Sequence, residues 1–152
     1  IINAVAAYEL YSAPVITIDF GSCTTFGVVD ADGVFRGGLI APGIKSSAES
    51  LVNTAAKLPR IELVRPSAII GKNTVENMQS GVIYGFTGLV EYIVNKIKKE
   101  PGFENAKVVA TGGMSQLVTQ NSDVIDVVDR ALSLKGLKIL YDYNKPTEKQ
   151  NG

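Results

Sequence analysis

The strongest constraint on the fold of this chain is residues 15–30, in which two strand-like runs flank a short Gly-Ser corner. Residues 15–18 are all β-branched, which predicts a strand buried on both faces. The carboxylate that follows, Asp19, needs a cation, backbone amides or an anionic ligand with its metal. Glycine lets the backbone approach a phosphate, and hydroxyl donors follow at Ser22, Thr24 and Thr25. This stretch favours a phosphate or cation site, and a hairpin in which Asp19 is only a cap is the alternative.

The composition narrows the chemistry open to this chain. Its 152 residues suit one domain, and 15 basic against 15 acidic residues give no indication of nucleic acid or an anionic membrane as partner. No His is present, so acid–base chemistry within the chain would fall to carboxylates, Lys or Tyr. No apolar run reaches the ~20 residues of a membrane span. The single Cys23 fits a reducing compartment, and we expect a cytoplasmic protein.

The residue pattern predicts strands and helices in alternation. A short helix over residues 1–11 precedes strands over 15–20, 23–30 and 34–40, which form an antiparallel meander with a hairpin turn at 30–33. Downstream we predict a helix from Ser46 or Ser47 to 57, a strand over 61–64, a long helix from Asn73 or Thr74 to 99, a strand over 107–111, a helical start at 114–118, a strand-like run over 123–128, a helix over 132–143 and a polar tail over 145–152.

Glycines mark three places where a backbone or a ligand comes close. The pair Gly37-Gly38 inside the third strand predicts a bulge or a close approach by a ligand or another backbone, with a simple twisted edge as the alternative. Gly81, Gly85 and Gly88 recur on the long helix, where each costs about 1 kcal/mol relative to Ala. That cost predicts close packing, either by another helix such as one across a subunit interface or by an internal contact. The strand–Gly-Gly–helix unit at 107–118 is a common way to place a nucleotide at a helix N-terminus.

Five motifs together resemble one known family, the type III pantothenate kinases. They are I-D-F-G-S-C-T-T-F at 18–26, G-G-L-I-A-P-G at 37–43, A-K-L-P at 56–59, I-G-K-N-T at 70–74 and A-T-G-G at 110–113. The resemblance covers residues 1–144, and the element order is similar to one half of the actin/hexokinase/Hsp70 nucleotide-binding fold. It implies an α/β domain of the ribonuclease H-like, actin-like ATPase type, in which an antiparallel β-meander and parallel strands carry helices on both faces. The implied activity is ATP-dependent phosphorylation of pantothenate to 4'-phosphopantothenate, the first step of coenzyme A biosynthesis.

The resemblance also implies roles for individual residues. In the family, the Asp that matches Asp19 binds a monovalent cation, potassium or ammonium. The position of Ser22, generally Thr, contacts ATP, which is used with magnesium, and Gly21 lies beside it. By analogy with the wider fold, the adenosine side of ATP would be lined by Thr111, Gly112 and Gly113.

The acceptor side is implied in the same way. The Thr that matches Thr74 contacts pantothenate, and Asn73 lies beside it. Three glycines would shape the pocket near the acceptor: Gly37, Gly38 and Gly43. The long helix with its three glycines makes a homodimer the expected assembly.

The family places further machinery before the segment that matches Ile1. A Gly-x-Asp-Arg motif there supplies the general base and a substrate-binding Arg, and an N-terminal Asp-x-Gly-Asn/Thr turn binds phosphate. Neither motif is in this sequence, which opens at Ile1 without Met. We therefore expect a C-terminal half that has no general base of its own, is inactive alone and works with a missing N-terminal half in cis or as another chain. The alternative is a non-catalytic nucleotide-binding, dimerisation or transcriptional accessory module.

Overall fold

A computed structural model describes residues 1–55 and 57–145 of the chain. Ala56 of the A-K-L-P motif and residues 146–152 of the predicted polar tail lie outside the described residues. In the described ranges, none of the helices combines the length and the apolar character that crossing a bilayer requires.

Within the described residues, one mixed sheet is formed by five strands: β1 (Val15–Phe20), β2 (Cys23–Val29), β3 (Phe35–Pro42), β4 (Lys107–Thr111) and β5 (Val127–Val128). Their order across the sheet is β3-β2-β1-β4-β5. The first three strands pair antiparallel in a meander, whereas β4 is parallel to β1 and β5 is parallel to β4. The predicted combination of an antiparallel meander with parallel strands is confirmed.

The helices are α1 (Ile2–Tyr11), α2 (Ile44–Thr54), α3 (Thr74–Ile97), α4 (Ser115–Thr119) and α5 (Leu132–Tyr143). Side chains of a strand alternate between its two faces, and along β1 this places Val15 in a core with α1 and α5. Ile16, Ile18 and Phe20 lie in the opposite core with α2, α3 and α4. Helices therefore cover both faces of the sheet, as predicted.

Two local predictions are wrong. Residues 61–64 form no strand and are held by α3 and the core instead. The Glu62 carbonyl accepts a hydrogen bond from Gln79 Nε2 at 2.8 Å, and Leu63 packs against the core. Helix α2 begins at Ile44, before Ser46 or Ser47, since the Ser47 N–H donates to the Gly43 carbonyl at 2.9 Å. The run at 123–128 is a strand only at Val127–Val128.

Helix α3 begins where the sequence predicts. Asn73 Oδ1 accepts from the Glu76 N–H at 3.0 Å, and the Glu76 carboxylate accepts from the Lys72 N–H at 2.7 Å. A Cβ atom added at Gly81, Gly85 or Gly88 would meet nothing within 4 Å. An internal contact therefore does not explain these three glycines in the described part of the chain.

The glycine pair of β3 serves two backbone purposes. A bulge interrupts the pairing of β2 and β3 between Val28 and Val29, and Gly37 opposite it has a φ of +119°. A side chain at Gly38 would overlap the Phe26 carbonyl oxygen. The predicted bulge and the predicted close approach of another backbone are both present.

Candidate active site

The candidate site lies at the sheet edge where β1 and β4 end. These strands are parallel, and their register pairs Asp19 with Thr111. Both strands therefore end at the same edge of the sheet: β1 leads into the Gly21-Ser22 turn and β4 leads into the Gly112-Gly113 loop. The structure thus brings together the residues that the sequence predicted for the cation and for ATP.

The Gly112 loop is held directly against the end of β1. Gly112 has a φ of +94°, and a Cβ atom there would lie 2.6 Å from the Phe20 carbonyl oxygen. The buried Ser115 hydroxyl donates to the Gly112 carbonyl at 2.8 Å and braces the loop. Gly113, by contrast, is exposed and has open space at its Cβ position. The sequence interpretation missed Ser115, although a hydroxyl three residues after Gly112 is a visible signal.

The Gly21-Ser22 turn is closed by a hydrogen bond from the Gly21 N–H to the Cys23 carbonyl, 3.1 Å long. Ser22 is exposed, and its carbonyl accepts from the Ser46 hydroxyl at 3.2 Å. A side chain at Gly43 would overlap the same carbonyl, so this glycine lets the start of α2 approach the turn. Gly43 therefore has a structural role beside the one predicted for it.

Asp19 is half-buried, and its carboxylate has one protein partner in the described residues. Its Oδ2 accepts from Asn3 Nδ2 at 2.9 Å, and Asn3 Oδ1 accepts from the Ser133 hydroxyl at 2.7 Å. The sequence interpretation missed both Asn3 and Ser133. Asn3 carried a local signal, because it is the only polar side chain among the first seven residues.

The oxygen atoms around Asp19 fit a monovalent cation. Its register partners on the neighbouring strands are Thr25 and Thr111, whose side chains share its face of the sheet. One carboxylate together with hydroxyl oxygens is a hard donor set with a single negative charge, of the kind that suits an alkali cation better than a soft transition metal.

Thr24 does not belong to this site, contrary to the sequence interpretation. It pairs with Phe20, which places its side chain on the core face with α2 and α3. The residue is fully buried, and its Oγ1 has no hydrogen-bond partner within the described ranges. The alternation of β2 therefore leaves Thr25, and not Thr24, on the face of Asp19.

The predicted acceptor residues lie in separate places in this chain. Asn73 and Thr74 are exposed at the start of α3, and no hydrogen bond among the described residues joins either to Asp19 or Ser22. Gly38 lines a cavity of about 370 Å³ with Asn3 and other residues, on the sheet face opposite α3. The structure groups the ATP and cation residues but does not gather the acceptor residues into one pocket.

A mixed polar and apolar cavity of about 750 Å³ lies beside the Gly112-Gly113 loop. Met114, the residue after this loop, forms part of its wall, and α2 and residues 60–63 form the rest. Its charged lining residues are Lys45, Glu49, Arg60 and Glu62.

A second polar network ties α5 to the sheet behind the site. The buried Asp129, which follows β5, accepts from the Tyr11 hydroxyl at 2.7 Å, Lys135 Nζ at 2.6 Å and the Ala131 N–H at 3.0 Å. Burial acts to raise the pKa of Asp129, but the hydrogen bonds from Lys135, Tyr11 and Ala131 outweigh it and hold the pKa below its usual range. The same contacts raise the pKa values of Tyr11 and Lys135.

Sequence comparison identifies relatives over nearly the whole chain. A sequence model of the type III pantothenate kinase family matches residues 1–96. A type III pantothenate kinase of Agathobacter rectalis is 50% identical over 141 residues, which are 93% of this chain and 54% of that protein. One of Listeria monocytogenes is 52% identical over 147 residues, 97% of this chain and 56% of that protein. The chain spans about half the length of the curated relatives it matches.

Solved structures share the fold at low sequence identity. A Campylobacter jejuni protein described as a conserved Baf family transcriptional activator superposes with a TM-score of 0.63 at 22% identity, covering 92% of this chain and 62% of that one. The activator of the 2-hydroxyisocaproyl-CoA dehydratase from Clostridium difficile, with bound ADPNP, gives 0.53 at 13% identity, covering 95% and 68%. The predicted actin-like ATPase fold is confirmed. Because the family model matches more than half of the chain, the chain belongs to the type III pantothenate kinase family.

Proposed function

We propose that this chain supplies part of the active site of a kinase that transfers the terminal phosphoryl group of ATP to pantothenate, giving 4'-phosphopantothenate in the cytoplasm. Membership of the family supports the reaction class. The observation that carries the proposal is the parallel register of β1 and β4, which sets Asp19 beside Thr111 at the edge that also holds Gly21 and Ser22.

The ATP phosphates would lie over the Gly21-Ser22 turn, where the exposed Ser22 hydroxyl can donate to a phosphate oxygen. The adenosine side would lie along Thr111, Gly112 and Gly113, next to the cavity beside Met114. Magnesium would accompany ATP as part of this co-substrate. Because phosphoryl transfer depends mainly on positioning and charge neutralisation, these residues would contribute by holding the phosphates in place.

Asp19 would hold a monovalent cation, potassium or ammonium, next to the phosphates. Such a cation reduces the electrostatic cost of gathering phosphate charges beside a carboxylate. Asp19 Oδ1 is the oxygen that would bind the cation, because Oδ2 already accepts a hydrogen bond from Asn3.

Pantothenate would be bound through Thr74, with Asn73 beside it and Gly37, Gly38 and Gly43 shaping the acceptor side. The side-chain oxygen of Asn73 is engaged in capping α3, so Thr74 is the residue with its side chain available. A homodimer would cover the exposed, glycine-rich face of α3. The general base and the N-terminal phosphate turn would come from a segment outside this sequence, in cis or on another chain, so the chain alone would have little activity.

Calorimetric titration of the chain with ATP and magnesium tests the nucleotide and cation roles. We expect tighter binding in potassium chloride than in tetramethylammonium chloride, and we expect Asp19→Asn to remove this difference. Asp32→Asn is the matched control, since Asp32 is exposed in the hairpin turn at the other end of β2. Equal ATP affinities of the wild type in the two salts would contradict the cation role.

The kinase itself is tested on the protein expressed from its complete reading frame, with labelled pantothenate, ATP and magnesium. Formation of phosphopantothenate that is lost in Ser22→Ala and Asp19→Asn is the expected result. Nucleotide binding without any transfer to pantothenate would instead favour a non-catalytic module.

A further inference from the structure

Three side chains from distant parts of the sequence form one hydrogen-bonded chain that ends on Asp19. The Ser133 hydroxyl donates to Asn3 Oδ1 at 2.7 Å, and Asn3 Nδ2 donates to Asp19 Oδ2 at 2.9 Å. Ser133 lies on α5, Asn3 on α1 and Asp19 on β1, so the chain links two helices to the end of the central strand.

The chemistry of the three groups fixes their orientation. An ionised carboxylate only accepts hydrogen bonds, so the amide nitrogen of Asn3 must face Asp19. The amide oxygen then faces Ser133, whose hydroxyl can donate to it. If the amide were rotated, its oxygen would lie against the Asp19 carboxylate, which cannot donate to it. Asp19 therefore decides which way the amide is turned, and the hydrogen bond to Ser133 holds the amide group in place.

The packing of α5 on α1 explains how Ser133 reaches Asn3. A side chain at Gly136, one turn further along α5, would overlap the Ile2 carbonyl at the start of α1. Glycine at this position therefore allows the two helices to approach closely, next to Asn3. Asp129 and Lys135 hold the start of α5 to the sheet in the same region.

We propose that Asn3 and Ser133 are positioning residues for the cation ligand Asp19, an inference that rests on the proposed cation role of Asp19. Asn3 binds Oδ2 and thereby presents Oδ1 to the cation, and Ser133 fixes the amide of Asn3. Groups that orient a ligand in this way commonly change metal affinity about 10–100-fold when they are removed.

Thermal melting of the chain in mixtures of potassium and tetramethylammonium chloride at constant ionic strength tests the positioning roles of Asn3 and Ser133. A cation that binds only the folded state raises Tm once its concentration exceeds its Kd, so the potassium concentration at which Tm begins to rise reports its affinity. We expect Asn3→Ala to raise this concentration about tenfold or more. Ser133→Ala should raise it about threefold to tenfold, and Ser133→Thr, which keeps the hydroxyl, should restore it.

A purely structural role would lower Tm by the same amount at every potassium concentration and leave the concentration at which Tm begins to rise unchanged. If the wild type responds to potassium, that result would overturn the positioning roles of Asn3 and Ser133 and leave the cation role of Asp19 intact. If the Tm of the wild type does not respond to potassium, as expected for Asp19→Asn, the cation role of Asp19 is overturned and the positioning roles of Asn3 and Ser133 fall with it.

Discussion

Gly112 and Phe20 are in direct backbone contact: a Cβ atom at Gly112 would lie 2.6 Å from the Phe20 carbonyl oxygen. The φ of +94° at Gly112 adds a conformational cost for any other residue. The contact fixes the loop after β4 against the end of β1, and so sets the geometry between the two halves of the candidate ATP site.

We expect Gly112→Ala to lower the free energy of unfolding by about 2–4 kcal/mol, from the positive φ and the overlap together. Nucleotide binding should weaken as well, because the loop must move away from Phe20. Gly113→Ala is the matched control, since its Cβ position is open, and its effect should stay within about 0.5 kcal/mol. Urea unfolding of both variants and ATP titration of Gly112→Ala provide the measurement, and equal losses of stability in the two variants would contradict the role assigned to the Phe20 contact.

Asp129→Asn should destabilise the chain by about 1–3 kcal/mol, because it weakens charge-assisted hydrogen bonds to a side chain that is only 7% exposed. The pKa of Asp129 lies below its ordinary value, so the stabilisation is fully present above about pH 4. It is lost as the pH falls through the folded-state pKa. Melting curves of both proteins should therefore converge in strong acid.

The control for this prediction is Asp142→Asn, which removes an exposed carboxylate that contacts Lys138 and Lys145. Solvent screens such pairs, and Tm at neutral pH should not change measurably. A Tm difference between wild type and Asp129→Asn that stays constant down to the lowest pH would contradict the assigned linkage.

The sequence predicted those parts of the fold whose signals are local. The bounds of β1 follow from its β-branched run, and the start of α3 follows from the Asn73 cap. The start of α2 was missed because its cap is a glycine, Gly43, whose contribution is a close backbone approach. Residues 61–64 were predicted as a strand because the local sequence pattern does not reveal the hydrogen bond from the distant Gln79 to the Glu62 carbonyl.

In the candidate site, too, the sequence predicted residues that carry a local motif and missed contacts between distant residues. Asp19, Ser22 and Gly112 were predicted from motifs, and the parallel register brings them to one edge. The partner of Asp19 was not predicted, because the Asn3–Ser133 bond joins residues 130 positions apart. Thr24 was misassigned because periodicity alone does not say which face of β2 is buried.

Thr24→Val should stabilise the chain by about 1 kcal/mol. The Thr24 hydroxyl is fully buried without a partner, and a buried unpaired polar group costs about 1–3 kcal/mol. Valine keeps the shape and removes that group. Thr17→Val is the control, because the buried Thr17 hydroxyl donates to the Gly27 carbonyl at 3.3 Å and its loss brings no such gain. Destabilisation by Thr24→Val in urea unfolding would indicate that its hydroxyl has a partner.

Asn73 and Thr74 can be separated by their effects on stability and on pantothenate binding. Asn73→Ala should lower stability by about 1 kcal/mol through loss of the α3 cap, and Asn73→Ser should preserve it. We expect Thr74→Ala to weaken pantothenate binding by the protein from the complete reading frame with little effect on Tm. Weaker binding in Asn73→Ser with unchanged Tm would assign a direct substrate contact to Asn73 as well.

Gly85→Ala distinguishes a solvent-exposed face of α3 from one covered by a second copy of the chain. Nothing lies within 4 Å of the Cβ position, so on an exposed face Ala would raise stability by about 1 kcal/mol through helix propensity alone. If a second helix packs against the glycines, the methyl group separates the two helices and weakens the dimer.

We expect this second result. Gly85→Leu should then elute at the mass of one 16.2 kDa chain, and the wild type should elute at twice that mass. Gly113→Leu, an exposed glycine away from α3, should leave the mass of the wild type unchanged. Stabilisation by Gly85→Ala without any change in mass would argue against an interface on this face.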